Sequence, residues 1–499
     1  MTSAARTFAA VDLGAESGRV MLGRLRGDSI ELREVHRFAN NPVPLPDGLH
    51  WNVLALFSET VAGLSVAATG GERLSGIGVD AWGVDYGLLD RELRLLGIPF
   101  HYRDRRTDGM IERVAECVPL SELYARTGIQ TMPINTIFQL AAEAGGPIAG
   151  AAEHIALIPD LLGLWLTGAF ANEATIASTT GLIDARTGSW ANDLAIALGL
   201  PAAALRGTPR EPGQLLGQIR HDQGAIAHVP LYSVASHDTA SAFVATPVSS
   251  ANAAILSSGT WSLLGVELET PILDPAAAAM NLTNERGAEG TIRLLRNVMG
   301  LWLLQECRRF WEGTGASLDY DELERLARSE RDEVPLFDPD HPSLLHHGDM
   351  PSRIATLCGA RGQRPPRNAG EYVRSILVSL ACKYNLVLHR LRSVTARPIE
   401  QIHVIGGGVR NRALCQLTAD VTGLPLLAGP VEAAALGNLL MQAYALGDVG
   451  SLAEMRELVG SSFAPERYEP SGDQSGVETY ERFLALTGLS ASTPEPMPA

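Results

Sequence analysis

The sequence predicts an α/β protein made of two large domains that repeat one pattern and face each other across a cleft. At 499 residues the chain is longer than a single hydrophobic core usually supports. Strand-like and helical runs follow one another along its whole length. One local arrangement, an apolar strand, a turn of small residues and a second strand, occurs at 7–25 and again at 253–266, as a duplicated domain would produce.

The elements follow in order. Residues 7–13 read as a buried strand, Asp12 to Arg19 as a turn into a second strand, and 30–38 as a third strand after the hairpin turn Arg26-Gly27-Asp28. A dinucleotide-binding glycine loop must open a helix, whereas this turn opens a strand, so that motif is excluded. Residues 51–68 carry helical spacing (Val53, Leu54, Leu56, Phe57, Val61, Leu64), and 74–79 read as a strand leading to Trp82-Gly83. A short helix opens at Pro159 and closes at Thr167-Gly168. Strands at 214–219 and 231–235 lead into Ser236-His237-Asp238. In the second half, strands at 253–256 and 261–266 flank Ser257-Ser258-Gly259-Thr260. The charged segment 308–338 reads as peripheral, 372–392 as a long helix, and 402–405 as a strand ending in Gly406-Gly407-Gly408. Helices follow at 411–421 and 432–445. The expected division is 1–245 and 246–489, with a polar, proline-rich and disordered tail at 490–499.

Composition narrows the function. A net charge of −16 argues against nucleic acid and anionic membrane as partners, because both demand a cationic face; the one clustered candidate is Arg103, Arg105 and Arg106. No apolar run is long enough to span a bilayer and no leader pattern precedes the first strand, so a cytoplasmic protein is expected. Five scattered cysteines without a CxxC pair predict reduced thiols. The single lysine, Lys383, excludes both a Walker A loop and the strand lysine of a protein kinase. A nucleotide must therefore be held by amides, hydroxyls, arginine and a metal.

Asp238 ends an apolar strand and precedes Thr239, Ala240 and Ser241. Phosphoryl transfer to an alcohol needs a carboxylate in reach of the hydroxyl proton; an aspartate here would equally cap a helix. His237 would orient a substrate or serve as a structural hydrogen-bonding group. Backbone amides at Gly14, Ala15, Ser17 and Gly18, the Ser17 hydroxyl and Arg19 would cup phosphate, and Asp12 would hold magnesium through water; an ordinary hairpin turn is the other reading. Ser257 to Thr260 has the same two readings, and Gly406 to Gly408 would admit a flat ligand close to the backbone or simply form a loop. Trp82-Gly83, Tyr102-Arg103-Asp104 and Asn297 mix aromatic faces with hydrogen-bonding groups, as a sugar pocket requires. Trp302 reads as core, and Asp80 and Asp85 as turn residues.

In this order, the segments Val11-Asp12-Leu13-Gly14-Ala15-Glu16-Ser17-Gly18-Arg19, Val79-Asp80-Ala81-Trp82-Gly83, Ser236-His237-Asp238-Thr239, Ser257-Ser258-Gly259-Thr260-Trp261 and Gly406-Gly407-Gly408 resemble the FGGY carbohydrate kinases. Tyr102-Arg103-Asp104 and the run from Asn297 to Gln305 point to the branch acting on L-rhamnulose. The resemblance implies two ribonuclease-H-like domains of the actin and hexokinase ATPase type, closing on sugar and ATP with magnesium. It implies Asp238 as proton acceptor from the C1 hydroxyl, and sugar contacts from Gly83, His237, Asp238, Thr239 and Asn297. ATP contacts fall on Ala15, Glu16, Ser17, Gly18, Arg19, Thr260, Gln305 and Gly407. Glu16 departs from relatives with serine or threonine there, and no closely spaced cysteines support the disulfide associated with some members. A xylulose or fuculose kinase of the same fold is the alternative, and a non-catalytic actin-like nucleotide sensor the rival of another class. Monomer and homodimer both remain open.

Overall fold

The computed structural model describes residues 5–316, 318–330 and 333–491. Its first sheet is six-stranded and uses β1 (Arg6–Leu13), β2 (Ser17–Arg26), β3 (Ser29–Ala39), β4 (Leu74–Ala81), β5 (Gln214–Gln218) and β6 (Pro230–Ser233), in the order β3-β2-β1-β4-β6-β5. The second, seven-stranded, uses β7 (Ala253–Ser258), β8 (Trp261–Leu268), β9 (Thr283–Arg286), β10 (Ile292–Met299), β11 (Gln401–Ile405), β12 (Leu426–Ala428) and β13 (Glu466–Tyr468), in the order β9-β10-β8-β7-β11-β12-β13. In each, an antiparallel three-strand meander (β3-β2-β1, β10-β8-β7) continues into two parallel crossover strands (β4 and β6, β11 and β12). The duplication read from two short turns extends to the topology of both halves.

Two helices lie between the sheets: α2 (Asp238–Val244) and α7 (Ala433–Ala445), from a helix set that includes α1 (Val53–Thr69), α3 (Trp302–Gly313), α4 (Tyr320–Ser329), α5 (Ala369–Thr395), α6 (Arg412–Thr422) and α8 (Leu452–Ser462). They join one apolar core with Phe8 and Met21 of the first sheet and Ile255, Leu295 and Ile405 of the second. At their crossing a Cβ on Gly437 would lie 1.8 Å from the Ser241 carbonyl oxygen, so only glycine lets the backbones meet. Asn438 of α7 donates to Asp80 at 2.6 Å, and Gln442 donates to the Ala9 carbonyl at 3.0 Å. A helix encoded late in the chain thus packs on the first sheet.

Three expectations change. Asp80 and Asp85 are not turn residues but are fully buried, Asp85 accepting from the indole N–H groups of Trp51 (2.6 Å) and Trp82 (2.9 Å). The segment 308–338 is not peripheral: Leu323 and Ala327 of α4, one helical turn apart, are buried in the second core. Of the tail predicted at 490–499, residues 492–499 lie outside the described residues, while the carbonyl of Ser490 accepts from Arg390 at 2.9 Å. The five cysteines are free thiols. Lys383, fully buried in α5, pairs with Asp338 at 2.9 Å and Asp340 at 3.2 Å, so the lysine is part of the second core.

Candidate active site

A cavity of about 830 Å³ opens between the sheets where the two duplicated turns face each other. Asp12, Ala15, Glu16, Ser17, Arg19, Gly83, His237, Asp238, Thr239, Thr260, Asn297, Gln305 and Gly407 all line it. Gly18 is not among its lining residues: a Cβ there would fall 2.3 Å from the Phe38 ring and 2.9 Å from Leu13, so this glycine serves sheet packing. Of Tyr102-Arg103-Asp104, only Tyr102 reaches the cavity. Arg103 stacks its guanidinium 3.8 Å from the ring centre of Trp302 and donates to the Leu345 carbonyl, and Asp104 accepts from the Leu49 amide at 2.7 Å.

Asp238, the first residue of α2, lines this cavity. It does not cap that helix: its carboxylate accepts only locally, from the amide and hydroxyl of Thr239, and its side chain stays 29% exposed to the cavity. Burial pushes its carboxyl above the ordinary range, opposed by His237. The approach to α2 is pinned by Glu173, which accepts from the amide of Ser236 at 3.1 Å, and by Thr175, whose hydroxyl accepts from the amide of His237 at 3.2 Å. Burial raises Glu173 to about 7. Gly83, also on the cavity wall, leads into Val84, a β-branched residue at φ 68°. That conformation is costly for valine and is held by hydrogen bonds from the Val84 amide to Thr179 and from Thr136 to the Val84 carbonyl. Asn297 of β10 is clamped by Gln130, whose Oε1 accepts from the Asn297 amide at 2.8 Å and from its Nδ2 at 3.2 Å.

The two turns line the same cavity. The Gly14 amide closes its own turn on the Ser17 carbonyl at 2.9 Å, which removes it from the amides expected to meet phosphate. Asp12 and Arg19 are register partners on β1 and β2. Arg19 donates to Asp12 at 2.8 and 3.0 Å and pairs with Glu432 at 2.5 Å; its half-buried guanidinium is held protonated by these two carboxylates. Gln305 lines the cavity too and carries a buried Oε1 without a hydrogen-bond partner. The three glycines of the 406–408 run differ. A Cβ at Gly408 would lie 2.0 Å from Ser258 Oγ and one at Gly406 2.9 Å from the Ser258 carbonyl, whereas at Gly407 it would meet nothing.

The chain is matched by two family models: the N-terminal domain of the FGGY family of carbohydrate kinases over residues 8–245, and its C-terminal domain over 254–446. The chain belongs to the FGGY family of carbohydrate kinases. This FGGY kinase is 40% identical over 470 residues to a rhamnulokinase of Bacteroides thetaiotaomicron, covering 93% of this chain and 96% of that one. It is 40% identical over 491 residues to a rhamnulokinase of Enterococcus faecalis, covering 97% and 98%. In fold it matches a gluconate kinase from Lactobacillus acidophilus (TM-score 0.76, 15% identity, 97% of each chain) and a Plasmodium falciparum glycerol kinase with ADP (TM-score 0.76, 14% identity, 97% and 99%). Glu285 and Arg293 of the FGGY kinase, which stand beside His237, escaped the sequence reading. The one local signal was a charged residue interrupting the apolar strand Ile292-Arg293-Leu294-Leu295.

Proposed function

We propose that this FGGY kinase transfers the γ-phosphoryl group of ATP to the C1 hydroxyl of L-rhamnulose, giving L-rhamnulose 1-phosphate and ADP. The supporting observation is Asp238: a carboxylate with no capping duty, open to the cavity, between two turns suited to phosphate and a pocket bearing Gly83, Asn297 and Trp82. In this reading Asp238 takes the hydroxyl proton as the oxygen attacks phosphorus. His237, Thr239, Gly83 and Asn297 orient the ketose. Ala15, Glu16, Ser17, Arg19, Thr260, Gln305 and Gly407 line the side taken by ATP, while Gly18 supports from behind.

Magnesium fits the donor set. The carboxylate of Asp12 lines the cavity beside the first turn, whereas Asp80 is fully buried and burial pushes its carboxyl well above the ordinary range. Among the described residues no cluster of three or more metal-ligating side chains occurs. A magnesium ion would therefore rest on Asp12 with water and phosphate oxygens, and would neutralise charge on the transferred group. The proposal places the enzyme in the cytoplasm, in keeping with its free thiols.

The rhamnulose reading is preferred over xylulose because the relatives at 40% identity are rhamnulokinases, whereas a xylulose kinase from Rhodospirillum rubrum is 20% identical. ADP release measured across a panel of ketoses tests it. L-rhamnulose should give the highest kcat/KM, and Asp238→Asn should lower turnover at least ~10²-fold with sugar binding retained. A different preferred ketose, or a fully active Asp238→Asn, overturns it.

A further inference from the structure

His237 touches charged groups on both sides of its ring, and the source of its tautomer lies one layer further from the cavity. Arg293 is fully buried in β10, where an unpaired guanidinium would be very costly. Its Nε and Nη2 both donate to the Arg286 carbonyl, at 3.1 and 3.0 Å, which fixes the plane of the guanidinium. The same Nη2 lies 3.2 Å from Glu285 Oε2 and 3.1 Å from Nδ1 of His237. A guanidinium has only donors to offer, so at that distance Nδ1 must present its lone pair. The proton of the neutral ring is then on Nε2, which faces Asp238 Oδ1 at 3.4 Å. That separation is long for a hydrogen bond, as is common before a substrate closes the site.

We propose that Arg293, anchored by Glu285, is a positioning residue that fixes the tautomer of His237 and thereby makes its Nε2–H the donor that aims the Asp238 carboxylate at the reacting hydroxyl. The inference rests on Asp238 being the base. Glu285 serves as anchor because it stays ionised: burial would raise its carboxyl, but the Arg293 guanidinium 3.2 Å away outweighs that and holds it below the ordinary range. Its Oε2 also lies 3.3 Å from Nδ1, so without Arg293 the ring would turn its proton to this carboxylate and leave Asp238 without a donor. The backbone of His237 is already held by Thr175, which leaves the proton position as the variable that Arg293 controls.

The test is nitrogen NMR on the full chain with ¹⁵N-labelled histidine, the His237 signals being assigned by their loss in His237→Gln. The wild-type ring should be protonated at Nε2 and bare at Nδ1. In Arg293→Met the proton should move to Nδ1, and kcat should fall about 10- to 100-fold, the usual effect of removing an outer support of an active group, with KM for the sugar changed by less than about threefold. Arg293→Lys, which keeps a cationic donor, should restore part of kcat. Wild-type protonation at Nδ1, or a kcat loss in Arg293→Met without a change of tautomer, overturns the inference. Should Arg293→Met fail to fold, the wild-type spectrum decides alone. Should no ketose be phosphorylated, the functional proposal falls, while the spectra still judge the tautomer.

Discussion

Glu16 of the first lobe and Arg309 of the second face each other across the cleft, with Oε1 3.5 Å from Nη2. An acid in a turn that meets triphosphate would repel it; here a guanidinium from the opposite lobe offsets that charge. Arg309→Ala should therefore raise KM for ATP about two- to fivefold, the scale of a half-exposed pair worth under about 1 kcal/mol. Adding Glu16→Gln should cancel the increase. Additive effects in this double-mutant cycle would refute the coupling.

Asp238 must be ionised to accept a proton, and burial raises its carboxyl. As pH falls, kcat/KM should therefore drop at a pH above the ordinary aspartate value of about 4. His237 opposes the rise, so His237→Gln should move this acid limb to still higher pH. A limb at or below about pH 4 in the wild type would contradict the assignment.

Asp85, shared by the indoles of Trp51 and Trp82, is raised by burial to about 6. A carboxyl with a raised folded pKa is fully compatible with folding below its unfolded value of about 4 and loses stability as pH rises towards 6. Relative to Asp85→Asn, the wild type should lose about 3 kcal/mol of unfolding free energy between pH 4 and 7, measured by urea titration at each pH. A difference that stays flat across this interval would exclude the shift.

Gly407 and Gly408 should respond oppositely to alanine. Gly408→Ala collides with Ser258 and should cost about 1–3 kcal/mol of stability. Gly407→Ala meets open space, should unfold like the wild type, and should raise KM for ATP. An unchanged KM would mean that the nucleotide lies elsewhere in the cavity.

What was legible in the sequence was local. The strand–turn–strand runs at 7–25 and 253–266 encode their own hairpins, and Asp238 and Gly83 follow strand-like runs, where the chain reaches a cleft. What stayed hidden depends on partners far along the chain. Asn438 meets Asp80 across 358 residues, and nothing in the amphipathic pattern of α7 says which sheet it covers. Gln130 clamps Asn297 from 167 residues away. Gly18 and Gly407 look equally like phosphate-loop glycines, yet one makes room for Phe38 and the other for the cavity. Only the packed neighbours separate them.

The burial of Lys383 between Asp338 and Asp340 has a chemical corollary. Open-chain ketoses carry a carbonyl that condenses with unprotonated primary amines and slowly glycates the proteins that bear them. Since the chain's one ε-amino group is locked as an ion pair inside the second core, no lysine amine is left on its surface for such sugars to attack.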